Sequence, residues 1–218
     1  MAGIKPRGKV EIKWSPKFAY AIGLLATDGN ISRDGRRIDF SSKDKEQIKN
    51  FLRGLNIKVK IGEKRKINSR CLRVQFGDIL FCKFLTEIGL TSKKSKTIGT
   101  VKVPDIYFFD FLRGLFDGDG TFYSYWDSRW KSSFMFYVVF ISASKKHIDW
   151  IREELHRRIG VTGHITKSPK NSCYQLKYAK REGLVIIKKM YKKNKNNISL
   201  KRKRLKIEKA LSIMGTLL

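Results

Sequence analysis

Two aspartates, Asp28 and Asp119, end two similar stretches of the chain, and each is followed by a glycine. The first stretch reads AIGLLATDG, and the second, 91 positions later, reads LRGLFDGDG. Two carboxylates held close together repel each other unless a cation lies between them, and carboxylate oxygens favour Mg²⁺ or a similar hard ion. Such an ion activates a water and stabilises the leaving oxygen in phosphodiester hydrolysis. A single Asp-Gly is usually only a turn, but its recurrence at equivalent places favours a functional pair.

Each aspartate follows a segment that is apolar on nearly all sides, which predicts a buried helix. The two helices are expected over residues 16–27 and 105–117. Gly29 and Gly120 are expected to end them in the C′ position.

Small residues recur along these two predicted helices. Gly23 and Gly114 occupy equivalent positions, and Ala26 and Gly118 extend the small face towards the helix ends. Glycine lets another backbone approach closely. If the helices pack in parallel, their C-terminal ends emerge side by side and bring the two aspartates together.

The similarity continues downstream at an offset of 100 positions. Phe40, Ser42, Lys45, Ile48 and Leu55 recur as Phe140, Ser142, Lys145, Ile148 and Leu155. Later, Asn68-Ser69 and the strand after it are echoed by Asn171-Ser172 and its strand. Three correspondences in the same order predict two related halves, residues 1–98 and 99–218, joined by a Lys/Ser/Thr-rich linker at about 91–104.

Each half is predicted to be α+β with the element order αββαββα. The chain is therefore expected to be a pseudo-twofold tandem repeat of two four-stranded antiparallel sheets backed by helices, with the two aspartate-bearing helices at the interface. Residues 199–218 resemble a basic helix ending in apolar residues, which could pack back on the core.

The charge balance indicates a polyanionic partner. Lys and Arg number 48 against 19 Asp and Glu, a net charge of +29, and such a field is most often used to neutralise phosphates. No apolar run reaches the ~20 residues of a membrane span, and Met1–Glu11 precedes no secretory apolar region. The three cysteines form no CxxC pair and the three histidines lack zinc spacing, which excludes a zinc finger. An odd number of cysteines fits an intracellular, reducing compartment, whether prokaryotic cytoplasm or organelle matrix.

Polar and apolar residues alternate along the predicted strands, so one sheet face packs on helices and the other is polar. An ordinary solvated face would look similar, yet in a chain this basic the polar faces are expected to meet DNA. Arg and Gln suit bidentate base contacts, and a twisted ribbon fits the major groove. The residues expected to contact DNA in the first half are Arg33, Arg37, Asp39, Ser41, Lys58, Lys60, Lys64, Arg70, Arg73 and Gln75. Those in the second half are Tyr123, Tyr125, Arg129, His164, Lys167, Gln175 and Lys177.

The nine residues Leu112–Gly120 resemble the signature of the LAGLIDADG homing endonucleases, and Ala21–Gly29 is a looser copy. The looser copy has Ala26 where the family usually has Asp, but its eighth position, which binds metal in the family, is Asp28. The resemblance covers nearly the whole chain. It implies a monomeric, saddle-shaped protein that straddles a long, nearly asymmetric double-stranded DNA site. The family cuts both strands across the minor groove and leaves 3′ overhangs.

The resemblance also implies a metal requirement. Two or three Mg²⁺ ions are expected, with Mn²⁺ able to substitute and Ca²⁺ binding without supporting cleavage. The residue before each aspartate, Thr27 or Gly118, would offer its backbone carbonyl to a metal ion.

Four further side chains acquire catalytic roles from the resemblance. Ser42 and Ser142 lie where many relatives have a Gln that orders the attacking water, and a shorter side chain would have to act through an extra water. Lys94 and Lys203 are chosen from two lysine-rich stretches as the basic residue that follows the last helix of each half.

Two other functions on the same scaffold stay open. A DNA-binding transcriptional regulator that has lost cleavage should lose one or both aspartates, and this chain keeps both. An RNA maturase that assists splicing would present the same basic surface, which makes host intron RNA a second candidate partner. An intron-encoded enzyme is favoured over an intein-embedded one because the chain begins with Met1 and lacks flanking splicing blocks.

Overall fold

The computed structural model describes residues 8–66, 69–130, 133–168, 172–191 and 198–218. The helices are α1 (Pro16–Asp28), α2 (Lys45–Leu55), α3 (Ile79–Glu87), α4 (Phe108–Gly118), α5 (Lys145–Ile159), α6 (Lys180–Met190) and α7 (Lys201–Ile213). The strands are β1 (Gly29–Ile31), β2 (Arg37–Ser42), β3 (Gly62–Lys66), β4 (Ser69–Gly77), β5 (Thr121–Trp126), β6 (Phe134–Ser142), β7 (His164–Lys167) and β8 (Tyr174–Ala179). The order αββαββα occurs twice, as predicted. Asn68 and Asn171, part of the sequence repeat, lie outside the described residues.

Each half contributes one four-stranded antiparallel sheet, in strand order β1-β2-β4-β3 or β5-β6-β8-β7. Equivalent residues pair in the two sheets, since Phe40 lies opposite Val74 and Phe140 opposite Leu176. All four side chains are buried, on the face that packs against the helices. The predicted α+β tandem repeat is confirmed.

Helices α1 and α4 cross where Gly23 lies against Gly114. A Cβ at Gly23 would lie 2.9 Å from the Gly114 Cα, and a Cβ at Gly114 would lie 3.0 Å from the Gly23 Cα. One turn further on, a Cβ at Gly118 would lie 2.7 Å from the Thr27 Cβ. Because both contacts advance in the same direction along the chain, the helices run parallel, as the spacing of small residues predicts.

The glycines after α1 and α4 take different positions relative to the helix ends. Gly120 directly follows the C-cap residue Asp119 and so takes the predicted C′ position. Gly29 is itself the C-cap of α1, with φ −86° and ψ 154°, because the helix runs one residue further than predicted, to Asp28. Neither glycine has a positive φ. Neither position has room for a side chain, because a Cβ at Gly29 or Gly120 would lie 2.7 Å from the carbonyl oxygen four residues earlier, that of Leu25 or Phe116.

The connecting segments that follow α3 and α6 each contact a helix of the other αββαββα unit. Gly99, downstream of α3, places its carbonyl oxygen 2.7 Å from Nδ1 of His147 in α5. Ser199, downstream of α6, accepts a hydrogen bond from the Asn50 side chain in α2 at 2.9 Å. The two halves are thus joined by reciprocal contacts as well as by the helix crossing.

Helix α7 packs back on the core, as predicted for the C-terminal segment. Ile207, Ala210 and Leu211 are buried, while Lys201 and Arg202 are exposed. The helix thereby carries its basic first turn to the end of the α1–α4 crossing. Within the described ranges no helix combines the length and apolar character needed to cross a membrane.

Candidate metal and DNA site

Asp28 and Asp119 meet at the C-terminal ends of α1 and α4. Asp28 is the last residue of α1, and Asp119 directly follows α4. Burial, followed by repulsion from the Asp119 carboxylate, raises the pKa of Asp28 to about 6. Burial also raises the pKa of Asp119. The two carboxylates therefore share one site, which the parallel helix pair assembles.

Gln47, in the first turn of α2, connects Asp28 to Ser42. Its Nε2 donates to Asp28 Oδ2 at 2.8 Å, and its Oε1 accepts from the Ser42 hydroxyl at 2.6 Å. The bond from Gln47 lowers the pKa of Asp28 against the raising effects of burial and repulsion. Ser42 thus connects to the aspartate through the Gln47 amide.

The second half has a histidine at the equivalent place. His147 stands 100 positions after Gln47, in the first turn of α5, and lines a small cavity with Asp119 and Ser142. Its Nδ1 contacts the Gly99 carbonyl, and its Nε2 is buried without a hydrogen-bond partner in the described part of the chain. Burial lowers the pKa of His147 to about 4, so the ring is neutral at pH 7.

Lys94 and Lys203 lie under the ends of the two aspartate-bearing helices. Lys94 Nζ donates to the Gly29 carbonyl, and Lys203 Nζ donates to the Gly120 carbonyl at 2.6 Å. Burial lowers the pKa of each lysine to about 8, although nearby carboxylates oppose that shift. A cation at a helix C-terminus is stabilised by the helix dipole. The two lysines therefore bring positive charge to the aspartate pair from equivalent positions.

The two residues whose backbone carbonyls are expected to bind metal, Thr27 and Gly118, have different surroundings. The Gly118 carbonyl already accepts a long hydrogen bond from Lys203 Nζ, at 3.3 Å. Thr27 packs its side chain against Gly118 and donates its hydroxyl to the Leu24 carbonyl at 2.9 Å. A metal ion at Gly118 would share that carbonyl with Lys203.

A third carboxylate lies in the core next to the site. Asp117, the sixth residue of the second motif copy, is fully buried and accepts from the Tyr20 hydroxyl at 2.7 Å and from the Leu200 amide at 2.6 Å. Burial raises the pKa of Asp117 to about 6. The first copy has Ala26 here. Asp117 therefore ties α4 to α1 and to the start of α7, a role with no counterpart in the first half.

The outer face of the first sheet gathers most of the residues predicted to contact DNA there. Its register places Asp39 opposite Gln75 and Ser41 opposite Arg73, with Arg37 and Lys64 on the same face. Arg73 forms an ion pair with Asp39, and its Nε lies 2.7 Å from Asp39 Oδ2. The predicted polar face therefore exists as one surface, partly neutralised by its own carboxylate.

The remaining first-half candidates lie off this strand face. Arg33 is exposed in the β1–β2 loop, and Lys58 and Lys60 are exposed in the segment before β3. Arg70 pairs with Arg65, a register that turns it to the opposite face of the sheet from Arg73.

The outer face of the second sheet is more aromatic. His164 lies opposite Lys177, and Gln175 shares their face. Tyr123 stacks on Tyr137, with ring centroids 5.2 Å apart, and Tyr125 is exposed next to them.

Two second-half candidates lie outside this group. Arg129, in the β5–β6 turn, is held by Asp127 with an Nη2–Oδ2 distance of 2.9 Å. Lys167 pairs with Tyr174 in the sheet and so faces the other side from Gln175.

Sequence reasoning missed Gln47 and His147. The offset of 100 positions that aligns Ile48 with Ile148 also aligns these two residues. Their side chains differ in kind, so a search for recurring residue types passes over them. Their burial follows from the fold and is not visible in the sequence.

The donor set at the helix ends fits a hard divalent cation. Asp28 and Asp119 present carboxylate oxygens, and their raised pKa values reflect negative charge that is costly to bury together. A cation between them would offset that cost. The described residues contain no cluster of three or more His, Cys, Asp or Glu side chains, so backbone oxygens, water or substrate would complete the coordination.

Known proteins share this fold. The DNA-bound homing endonuclease I-WcaI superposes with a TM-score of 0.59 at 14% identity, over 94% of this chain and 95% of that one. I-DmoI in complex with DNA and Mn superposes with a TM-score of 0.54 at 16% identity, over 82% of this chain and 98% of that one. Full-length DUF199/WhiA from Thermatoga maritima gives 0.57 at 14% identity over 97% of this chain, which spans 65% of that longer protein. At these identities the similarity shows the fold alone.

The family assignment comes from the sequence of both halves. No curated protein matches the chain significantly. The LAGLIDADG-like domain family, however, matches residues 15–89 and again residues 109–202. These two matches include both aspartates, both helices of the crossing and both sheets. The chain therefore belongs to the LAGLIDADG family and carries two copies of its domain.

Proposed function

We propose that the protein is a divalent-metal-dependent endonuclease that cleaves both strands of double-stranded DNA at one long, nearly asymmetric site. The observation that carries the proposal is the meeting of Asp28 and Asp119 at the ends of two parallel helices, with a buried lysine beside each. The net charge of +29 supports a nucleic-acid substrate. The DNA-bound structures of I-WcaI and I-DmoI, the latter solved with Mn and with Mg, support the same class of partner and ion.

The chain's own residues would prepare the site for a phosphodiester. Asp28 and Asp119 would hold Mg²⁺ or Mn²⁺, which when bound supplies an activated water and stabilises the leaving oxygen. Gln47 fixes the Asp28 carboxylate through the 2.8 Å hydrogen bond, so that ligand is oriented before DNA arrives. Because the pKa of Asp28 is about 6, metal binding should weaken below that pH as the carboxyl group takes up a proton.

The lysines and the sheets would supply the remaining contacts. Lys94 and Lys203 place positive charge beside the aspartates, where it would favour the charge that develops on a reacting phosphate. The two outer sheet faces would each meet one side of the target, and their different side chains suit an asymmetric sequence. A monomer is sufficient, because one chain provides both aspartates.

The test is cleavage of a DNA library containing randomised and intron-insertion sequences, with Mg²⁺ for cutting and Ca²⁺ for binding alone. Asp28→Asn and Asp119→Asn should each reduce double-strand cleavage by at least on the order of 100-fold, because each removes a charged ligand. Binding in Ca²⁺ should fall much less. Asp149→Asn, at a half-buried carboxylate paired with Lys145, is the matched control and should cut normally.

Full double-strand cleavage by either site variant would contradict the proposal. A wild-type protein that binds one DNA site tightly and cuts it with neither Mg²⁺ nor Mn²⁺ would identify a DNA-binding regulator instead.

A further inference from the structure

The polar residues at equivalent positions near the two aspartates, Gln47 and His147, offer opposite hydrogen-bonding groups. Gln47 offers Asp28 an N–H donor. His147 has Nδ1 2.7 Å from the Gly99 carbonyl oxygen, which only accepts, so Nδ1 carries the ring proton. Its Nε2 therefore presents a lone pair.

That lone pair has no partner among the described residues. His147 is 3% exposed, and its Nε2 is buried without a hydrogen bond. The ring lines a cavity of roughly 20 Å³ together with Asp119, Thr27 and Ser142. A cavity of this size has room for one water molecule or one ion.

The groups around the cavity supply acceptors and few free donors. Asp119 is an acceptor when ionised, as is His147 Nε2. The Thr27 hydroxyl donates to the Leu24 carbonyl, whereas the Ser142 hydroxyl accepts from the Ser144 amide at 3.1 Å and keeps its own proton to donate. Asp119 and His147 line the same small cavity and together offer a carboxylate and an imidazole nitrogen as ligands to a cation.

We infer that a divalent transition-metal ion of the kind imidazole prefers, such as Zn²⁺ or Co²⁺, binds between the Asp119 carboxylate and His147 Nε2. Imidazole favours these ions, whereas carboxylate and amide oxygens favour Mg²⁺. A ligating histidine usually donates its other ring N–H to a backbone carbonyl, as His147 does to Gly99. The ring plane is also fixed by stacking on Trp150 at 5.2 Å. The inference rests on the proposed function in taking Asp119 as a metal ligand.

The first experiment compares Zn²⁺ and Mg²⁺ binding to the full chain by calorimetry, without DNA. His147→Gln installs the residue of the first half and should weaken Zn²⁺ binding at least about tenfold, while Mg²⁺ binding changes less than about threefold. His156→Gln is the matched control, because His156 is exposed on the same helix, and it should leave both affinities unchanged. Unchanged Zn²⁺ affinity in a folded His147→Gln protein would overturn the inference and leave a single water as the cavity's occupant.

A second measurement needs no variant. The chain has three histidines, so ¹⁵N-labelled imidazole groups give few resonances to resolve. In the metal-free protein His147 should show the Nδ1–H tautomer, and Zn²⁺ should shift its Nε2 resonance. An Nε2 resonance that does not move at saturating Zn²⁺ would refute the inference even if His147→Gln fails to fold.

The two proposals fail in distinguishable ways. Absence of DNA cleavage with every ion, together with Zn²⁺ coordination by His147, would reject the nuclease and keep the metal site. Mg²⁺-dependent cleavage with Zn²⁺ binding independent of His147 would reject the metal site and keep the nuclease.

Discussion

The two aspartate sites occupy equivalent positions in the fold but differ in their surroundings. In the first half, Gln47 donates to Asp28, and a Ser42 hydroxyl holds the amide in place. In the second half, Asp119 and His147 line the same cavity, and His147 Nε2 has no hydrogen-bond partner among the described residues. The backbone framework is common to both halves, and the polar residue on the next helix decides what each aspartate meets.

The outer sheet faces differ in the same manner. The first is polar, with Asp39 paired to Arg73, whereas the second carries a stack of tyrosines that includes Tyr123 and Tyr137. A duplicated fold therefore separates two requirements. Glycine contacts and buried apolar residues keep the halves alike, and exposed or site-facing positions let them diverge.

Substitutions at the helix crossing should have the largest effect on stability, and the two halves should respond alike. Gly23→Ala and Gly114→Ala each place a Cβ within about 3 Å of the facing backbone, which cannot move aside without separating the helices. Each should lower the free energy of unfolding by roughly 3 kcal/mol or more, as measured by urea denaturation. Gly99→Ala, where a Cβ would meet nothing within 4 Å, should cost little. A mild effect at one glycine only would show that the crossing is not symmetric.

Removing the charge of Asp28 should stabilise the metal-free protein. The folded pKa of about 6 lies above the ordinary 3.8, so the folded state holds this proton more tightly than the unfolded state. The ionised carboxylate therefore destabilises the fold increasingly as pH rises from about 4 to 6. Asp28→Asn should raise the free energy of unfolding by about 2–3 kcal/mol at pH 7 in EDTA, and the gain should vanish near pH 4. Asp119→Asn should act in the same direction, and a loss of stability at pH 7 in either variant would contradict the electrostatic account.

Gln47→Ala and His147→Ala should differ in their effect on the titration of Asp28. The Gln47 amide favours the ionised form of Asp28, so its removal should raise the pKa of Asp28 further and move the acidic limb of metal binding to higher pH. His147→Ala has no such bond to remove and should leave the Asp28 titration in place. Carboxyl ¹³C chemical shifts followed against pH would report each aspartate separately. Equal shifts in both variants would mean that the halves are not independent.

The two sheet faces should show different salt dependence in DNA binding. Lys64→Ala should lower the slope of log K against log salt by about 1 if its side chain neutralises a phosphate. Tyr125→Ala should weaken binding by roughly 1 kcal/mol with the slope unchanged, because the ring carries no charge. Arg70→Ala, on the opposite face of the sheet, should change neither quantity much. Fluorescence anisotropy at several salt concentrations measures both terms.

The sequence predicts those features that the two halves repeat. The parallel helix crossing follows from Gly23 and Gly114, and the aspartate pair follows from their common place after those helices. The sheet faces follow from strict alternation, which also explains the placement of Arg73 and Gln75. Among the described lysines near the helix ends, Lys94 and Lys203 are the two that the fold buries.

Features that depend on contacts between distant elements could not be predicted in this way. Gln47 and His147 gain their roles from the packing of α2 and α5 beside the helix ends, and no local pattern marks them. Gly29 is the C-cap of α1 and not its C′ residue, because the helix runs to Asp28, and a C′ glycine and the first residue of an edge strand look identical in sequence. Arg70 and Lys167 lie near the ends of their hairpins, where the register decides which face a charge occupies.

The reciprocal docking of the two connecting segments has a consequence for biosynthesis. Asn50 donates a hydrogen bond to a carbonyl that is 149 positions further along the chain, and Tyr20 donates one to a carboxylate that is 97 positions away. On the ribosome, a nascent first half would therefore expose the apolar surface of α1 until the second half emerges, a state that favours chaperone binding. An incomplete chain also lacks the second carboxylate and Lys203. Translation of the second half thus precedes assembly of the aspartate pair.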